Sequence, residues 1–358
     1  MSSVRVLGVT KRFGAVTAAY EVSFDVASGA TLALLGPSGC GKTTILRGLA
    51  GLEAPDWGAI EIDGVTLFDR TRGIDVPAER RGLGYVPRSY AVWPHLSVGE
   101  NVAFPLQVRG VGARERLERA SRMLELVELK GVENQPAAMV TMAQLQRIAV
   151  ARALIHEPRL VLFDEPFANL DPGLRQQARA TLRGLRDRLG FTAIYATHDP
   201  AEAFILADQV ILLNQGAVEM NGPAREVFRL PRTGFAARFF GMNVLEGRLL
   251  GPAADERYLE VELSARLVVR GVAAPDADFS LGGRILACIP KQAVRVLRPR
   301  DGEPAAGVIA AVSFLGSEDE YLIDIDGVMI EAIGPPIGLA KGDRVNVAMT
   351  PDDWVFAR

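Results

Sequence analysis

The residues from Gly36 to Thr43 read Gly-Pro-Ser-Gly-Cys-Gly-Lys-Thr and match the pattern G-x-x-x-x-G-K-[ST]. The chemistry open to such a stretch is phosphate binding. Gly36, Gly39 and Gly41 let successive N–H groups around Pro37, Ser38 and Cys40 point into one concavity. The N-terminus of a helix opening at Thr44 adds positive potential, Lys42 can reach terminal phosphates, and the Thr43 hydroxyl can ligate Mg²⁺. A second pair, Asp164-Glu165, closes the apolar run Leu160 to Phe163. Asp164 is suited to hold Mg²⁺ through water, and Glu165 to polarise an attacking water. His198, in Thr197-His198-Asp199, follows another apolar run. Each has a plainer counterpart: a glycine turn, an acidic loop, and a histidine that only hydrogen-bonds. Taken together, with a strand before the glycines and a helix after them, they describe a site that binds and hydrolyses a nucleotide.

The elements that must position these residues follow from period. Thr31 to Leu35 is continuously apolar, as a strand buried on both faces should be, and runs into Gly36. Leu160 to Phe163 and Thr192 to Thr197 read the same way, and both acids then fall at the carboxyl edge of a parallel sheet, where ligands bind. Val4 to Val26, and Ile60 to Leu67 around Asp63-Gly64, read as an antiparallel flank. Between residues 88 and 150 the pattern is largely helical, with Leu117, Ala120, Leu124 and Val127 on one face. Asp171 and Pro172 open a further helix, with Leu174, Ala178, Leu182, Leu185 and Leu189 inward and Gly190 at its end. After Gly241 the segments become short and alternating, including a hairpin at Asp326-Gly327. These patterns predict two domains, 1–240 with an α/β phosphate-loop core and 241–358 all-β.

Composition narrows the function classes. The 358 residues carry 40 Lys plus Arg against 43 Asp plus Glu, a formal charge of -3, which gives no electrostatic case for nucleic-acid binding. Hydrophobic residues at 49% and charged residues at 23% exclude a disordered or fibrous chain. Two cysteines, Cys40 and Cys288, cannot make a disulfide framework and fit a reducing cytoplasm. No run reaches the ~18 apolar residues of a membrane span. Work at a membrane would therefore go through a partner.

On these motifs the chain resembles an ATP-binding cassette (ABC) subunit of the bacterial importer type with a C-terminal regulatory β domain, OB-like and similar to TOBE domains. The resemblance implies that Phe13, in Lys11-Arg12-Phe13-Gly14, stacks on adenine. It assigns Asp164 to the magnesium site, Glu165 to the catalytic base and His198 to the switch histidine, and places Asn169-Leu170-Asp171 in a loop that crosses a dimer. Val76 to Gly82 and Tyr90 to His95 are similar to stretches of the sugar, ferric-iron and polyamine importers, and in the C-terminal domain Asn243 to Gly247 and Phe314 to Ser317, followed by Glu320 to Leu322, resemble the iron, polyamine and oxyanion branches. Two positions depart from the family pattern. Arg88 stands where a loop glutamine is expected, and Val140-Thr141-Met142-Ala143-Gln144 aligns with Leu-Ser-Gly-Gly-Gln, keeping the Thr141 hydroxyl and Gln144 but losing both glycines.

The resemblance further implies ATP and Mg²⁺ as ligands and a head-to-tail homodimer or heterodimer of ATPase subunits. It implies integral membrane permease subunits, an external solute-binding protein reached through them, and a peripheral place on the cytoplasmic face of the cell membrane. The expected function is ATP hydrolysis coupled to solute uptake. A regulatory subunit with weak hydrolysis, or a soluble ABC ATPase of translation or DNA repair, is the alternative. The segment Tyr90 to His95 is expected either to face a permease helix or to pack Trp93 locally.

Overall fold

Two compact units make up the chain, Met1–Ala224 and Arg225–Arg358. The structure is a computed structural model and describes residues 1–275, 277, 279–300 and 304–357. The first unit begins with β1 (Val4–Phe13), β2 (Val16–Val26), β3 (Thr31–Leu35), α1 (Lys42–Ala50), β4 (Trp57–Ile62), β5 (Val65–Asp69), β6 (Ile74–Asp75) and β7 (Gly84–Val86). Helices α2 (Val98–Val108), α3 (Ala113–Leu126) and α4 (Met142–Leu154) follow. The unit closes with β8 (Leu160–Asp164), α5 (Pro172–Leu189), β9 (Thr192–Thr197), α6 (Pro200–Leu206), β10 (Gln209–Asn214) and β11 (Ala217–Pro223).

Two sheets divide these strands. An antiparallel sheet has the order β2-β1-β4-β5-β6, and a second sheet the order β11-β10-β3-β9-β8-β7, parallel except for β11. The apolar run of β8 is explained by what lies on each side. Leu160 and Leu162 pack with Ile45, Leu46 and Leu49 of α1 and the antiparallel sheet, whereas Val161 and Phe163 pack with the helices α2 to α5. Alternate residues of β9 divide likewise, Ile194 and Ala196 to one core, Ala193 and Tyr195 to the other. A strand with a core on both faces has no position for a polar residue until it reaches the sheet edge. At the carboxyl edge the polar residues are Asp164 and Thr197, and at the other end of β9 the buried Thr192 hydroxyl is bonded to Ser2 and Gly29.

Asp63 and Gly64 both take left-handed backbone, at φ 51° and 74°, and pair Ile62 with Val65 in the hairpin expected there. Two helical faces differ from the sequence reading. Leu117 is 48% exposed, and Ala120, Met123, Leu124 and Val127 form the packed stripe. In α5, Ala178, Leu182 and Leu185 are buried but Leu174 and Leu189, at its two ends, are each 40% exposed. Both misplaced sets lie one turn beyond the stretch that has a neighbour to pack on.

Helix α7 (Ala224–Arg229) begins on the last residue of the first unit, and the second unit continues with α8 (Gly234–Phe239), β12 (Met242–Pro252), β13 (Leu259–Ser264), β14 (Leu267–Ala273) and β15 (Arg284–Pro290). It continues with β16 (Arg295–Leu297), β17 (Gly307–Phe314), β18 (Asp319–Ile325), β19 (Val328–Gly334), β20 (Arg344–Ala348) and β21 (Val355–Ala357). Strands β12, β13, β14, β21 and β15 close a barrel, and β16-β20-β17-β18-β19 form a sheet. Both put alternate residues into one core containing Val261, Ile289, Tyr321, Ile323, Trp354 and Phe356.

Candidate active site

The loop between β3 and α1 is shaped by close approaches. A Cβ on Gly41, at φ +100°, would lie 1.9 Å from the carbonyl oxygen of Ala18 in β2, and one on Gly36 would lie 2.4 Å from that of Leu213 in β10. Only glycine fits either place. Ser38 and Gly39 are exposed at the tip, and Thr44 is half-buried in the first turn of α1. Lys42 is 4% exposed and its ammonium folds back over the loop, donating to the carbonyls of Gly36 and Pro37, each at 2.8 Å. Cys40 Sγ lies 3.7 Å from the same ammonium, and burial pushes its thiol up from the usual range.

At the end of β8 the acids meet this loop. The Thr43 hydroxyl donates to Asp164 Oδ1 at 2.8 Å, and the Tyr85 hydroxyl from β7 donates to Oδ2 at 3.4 Å. Burial holds the Asp164 carboxyl above the ordinary carboxylate range, the Thr43 bond opposes that, and the charge of Glu165 adds to it. Glu165 has left-handed backbone, φ 46°, and its N–H donates to the carbonyl of Ala196 in β9 at 3.0 Å. This fixes the stem of a carboxylate that is only 7% exposed. Around Glu165 Oε2 stand Arg88 Nη1 at 3.5 Å and His198 Nδ1 at 3.3 Å, in ion-pair range but without hydrogen-bond geometry. Parallel pairing of β8 with β9 carries His198, the residue after β9, to the same edge.

The structure thus brings Lys42, Thr43, Asp164, Glu165, Arg88 and His198 into one cluster. Other candidates lie elsewhere on the unit. Phe13 ends β1 in the hairpin to β2, 48% exposed, with the Lys11 ammonium 5.2 Å from its ring centroid. Asp171 is the N-cap residue just before α5, with its side chain making no capping bond. Thr141 and Gln144 cap α4 reciprocally: the Thr141 hydroxyl accepts from the Gln144 N–H at 3.3 Å, and the Gln144 side chain accepts from the Thr141 N–H at 2.8 Å. Met142 and Ala143 are the first two helical residues, neither with positive φ. Their N–H groups have no intrahelical partner at such positions. The left-handed backbone that would have reserved 142 and 143 for glycine is not adopted.

Three residues with clear roles escaped the sequence reading. Tyr85 was one position in a short strand. The Arg81 side chain, inside the Val76 to Gly82 stretch, is fully buried and donates to the carbonyls of Gly48 and Leu49 at the end of α1 and of Val76, at 2.7–2.8 Å. Arg152, late in α4, donates to the carbonyls of Tyr90 at 2.6 Å and Ala91 at 2.7 Å. Those two residues are both left-handed, at φ 61° and 46°. Its guanidinium also lies over Trp93, which packs on Phe104 with centroids 4.5 Å apart. The segment Tyr90 to His95 therefore includes real local packing at Trp93, while Pro94 and His95 remain exposed.

A phosphate-binding loop, a hydroxyl and carboxylate pair beside it, and a buried glutamate at the adjoining strand end define a nucleotide-hydrolysing cassette. Residues 20–168 match the family described as ABC transporter. The chain is 37% identical over 351 residues to the Fe(3+) ions import ATP-binding protein FbpC 1 of Rhizobium meliloti (strain 1021), covering 97% of this chain and 95% of that one. It is 37% identical over 355 residues to the spermidine/putrescine import ATP-binding protein PotA of Rubrobacter xylanophilus, covering 99% and 90%. Among solved structures, the dimeric post-hydrolysis state of the ATP-binding cassette MJ0796 bound to ADP and Pi superposes with a TM-score of 0.55 and 29% identity, over 62% of this chain and 99% of that one. The chain belongs to the ABC transporter family. It is an ABC-type ATPase, an ATP-binding cassette subunit of the importer type.

Proposed function

We propose that this chain hydrolyses ATP on the cytoplasmic face of the cell membrane to drive import through separate permease subunits, with ferric iron or a polyamine as solute. The observation that carries the chemistry is the convergence of Lys42, Thr43, Asp164 and Glu165 at one strand edge. The solute follows the iron and polyamine relatives, which align along nearly the whole chain.

In this reading the loop N–H groups and Lys42 bind the phosphates, exchanging the ammonium's bonds to Gly36 and Pro37 for phosphate oxygens. Thr43 and Asp164 offer hard oxygen donors side by side, which fits magnesium. Bound there, Mg²⁺ would neutralise phosphate charge. Glu165 orients the attacking water and takes its proton, and His198 holds the carboxylate from the other side. Phe13 stacks on the base. The N-terminus of α4, with Thr141 and Gln144, faces the terminal phosphate held by a second cassette, in a head-to-tail pair made with a copy of this chain or a related one. The loop from Asn169 to Asp171 lies along that contact. An external solute-binding protein supplies the permease and does not touch this chain.

The test is phosphate release by the purified chain, with nucleotide binding measured beside it. Lys42→Ala should lose ATP affinity tenfold or more, on the order expected for a charge-assisted contact. Glu165→Gln should keep ATP and lose about 10² or more in rate. Unchanged values in both variants sink the assignment. Recovery of the chain without any integral membrane protein from gently solubilised membranes would sink the import role.

A further inference from the structure

Arg88, standing where the loop glutamine is expected, faces the carboxylate of Glu165, and its charge also reaches Asp164. On the reading above, in which Glu165 serves the attacking water, we propose that Arg88 is a latch on that carboxylate. In the resting chain its guanidinium covers the oxygen that water must reach, and turnover waits on its displacement.

The geometry supports this at three points. Glu165 Oε2 is closed to solvent and receives no hydrogen bond, with the Arg88 guanidinium at 3.5 Å and the His198 ring at 3.3 Å. A buried anionic oxygen is costly unless charge compensates it, and a guanidinium in loose contact compensates without committing a donor. The Arg88 side chain is 61% exposed, so it is free to swing away. Its backbone is held: the Arg88 carbonyl accepts from Asn169 Nδ2 at 3.0 Å, and Arg152 grips the carbonyls of Tyr90 and Ala91 just beyond.

Two influences would release the latch. The terminal phosphate of ATP carries more negative charge than a carboxylate and competes for the guanidinium. Asn169, in the loop assigned to the dimer contact, moves the Arg88 backbone directly if that loop shifts when a second cassette docks. Arg88 is thus a positioning residue that makes hydrolysis conditional on a loaded, paired site.

The experiment uses the full chain in two assays. The first is melting without nucleotide, for the wild type, Arg88→Gln, Glu165→Gln and the double variant. A latch predicts non-additivity: Arg88→Gln lowers the melting temperature by about 2 °C or more in the wild type and leaves Glu165→Gln unchanged. The second is phosphate release at saturating ATP, where Arg88→Gln should raise the rate about twofold to fivefold, the scale of an ion pair with one exposed member. Additive melting effects overturn the latch even if the wild type hydrolyses ATP normally. A rate that falls in Arg88→Gln also overturns it and makes Arg88 a phosphate ligand. If melting is non-additive but neither protein hydrolyses ATP, the ion pair stands while the latch falls together with the proposed ATPase role of Glu165.

Discussion

Replacing Arg81 with leucine removes the donor set that closes the end of the phosphate-loop helix. Its guanidinium, with none of its side chain exposed, serves Gly48, Leu49 and Val76 carbonyls and pairs with Asp75 at 3.2 Å. Each carbonyl left without a partner costs about 1–3 kcal/mol. A cation at a helix C-terminus adds up to ~2 kcal/mol in a partly buried setting. Against this, the leucine is spared the desolvation that already pulls the Arg81 guanidinium below its ordinary pKa, and which amounts to several kcal/mol per buried ion. The net loss is about 3–5 kcal/mol, as for other one-sided removals from buried pairs. For a unit of this size that is a fall of roughly 6–20 °C in melting temperature. Calorimetry of the full chain resolves it, the first unit's transition being the one that ATP raises. Arg81→Lys keeps the charge but has no rigid fork, so it should lose about half as much. If leucine melts within about 2 °C of the wild type, or lysine melts with leucine, the guanidinium is not what holds this helix end.

Two further perturbations address other parts of the cassette. Burial, reinforced by the charge of Arg109, pushes the His156 imidazole down to about 4. Below its ordinary value of 6.5 the unfolded chain takes up a proton that the folded chain refuses, so this residue's contribution to stability is present above that pH and is lost as pH falls toward 4. His156→Leu should therefore narrow the difference between urea midpoints measured at about pH 7 and pH 5; an unchanged difference assigns the acid sensitivity to other groups. Met142→Gly with Ala143→Gly removes side chains, one of them 47% exposed, from a helix N-terminus whose N–H groups already point outward. Hydrolysis should rise at a stability cost of ~1–2 kcal/mol, and a lower rate in a phosphate-release assay would mean that Met142 contributes a contact of its own.

What could be read from the sequence was whatever a residue states through its near neighbours. The phosphate loop is legible because glycines, lysine and threonine act within one turn of chain, and β8 and β9 are legible because two-sided burial leaves four apolar residues in a row, Leu160 to Phe163 and Ala193 to Ala196. The arginines fail this test. Arg81 meets Gly48, and Arg88 meets Glu165, across long stretches of sequence, and nothing local separates a guanidinium fully buried on carbonyls from one standing in water. The backbone adds a second kind of opacity. Tyr90, Ala91 and Glu165 all take positive φ without being glycine, a strained choice that holds only where surrounding contacts over-determine it. Those contacts are Arg152 on the Tyr90 and Ala91 carbonyls and the Ala196 carbonyl on the Glu165 N–H. At 142 and 143 the two glycines lost from the family pattern leave no mark on the backbone, which is ordinary helix. Identity at a single position is therefore a poor guide to φ unless the partner that would impose the strain is known. In this cassette the imposing partners sit on α4 and β9, which ties the conformation of the segment after β7 and of the strand end bearing Glu165 to elements that themselves carry Thr141 and adjoin His198.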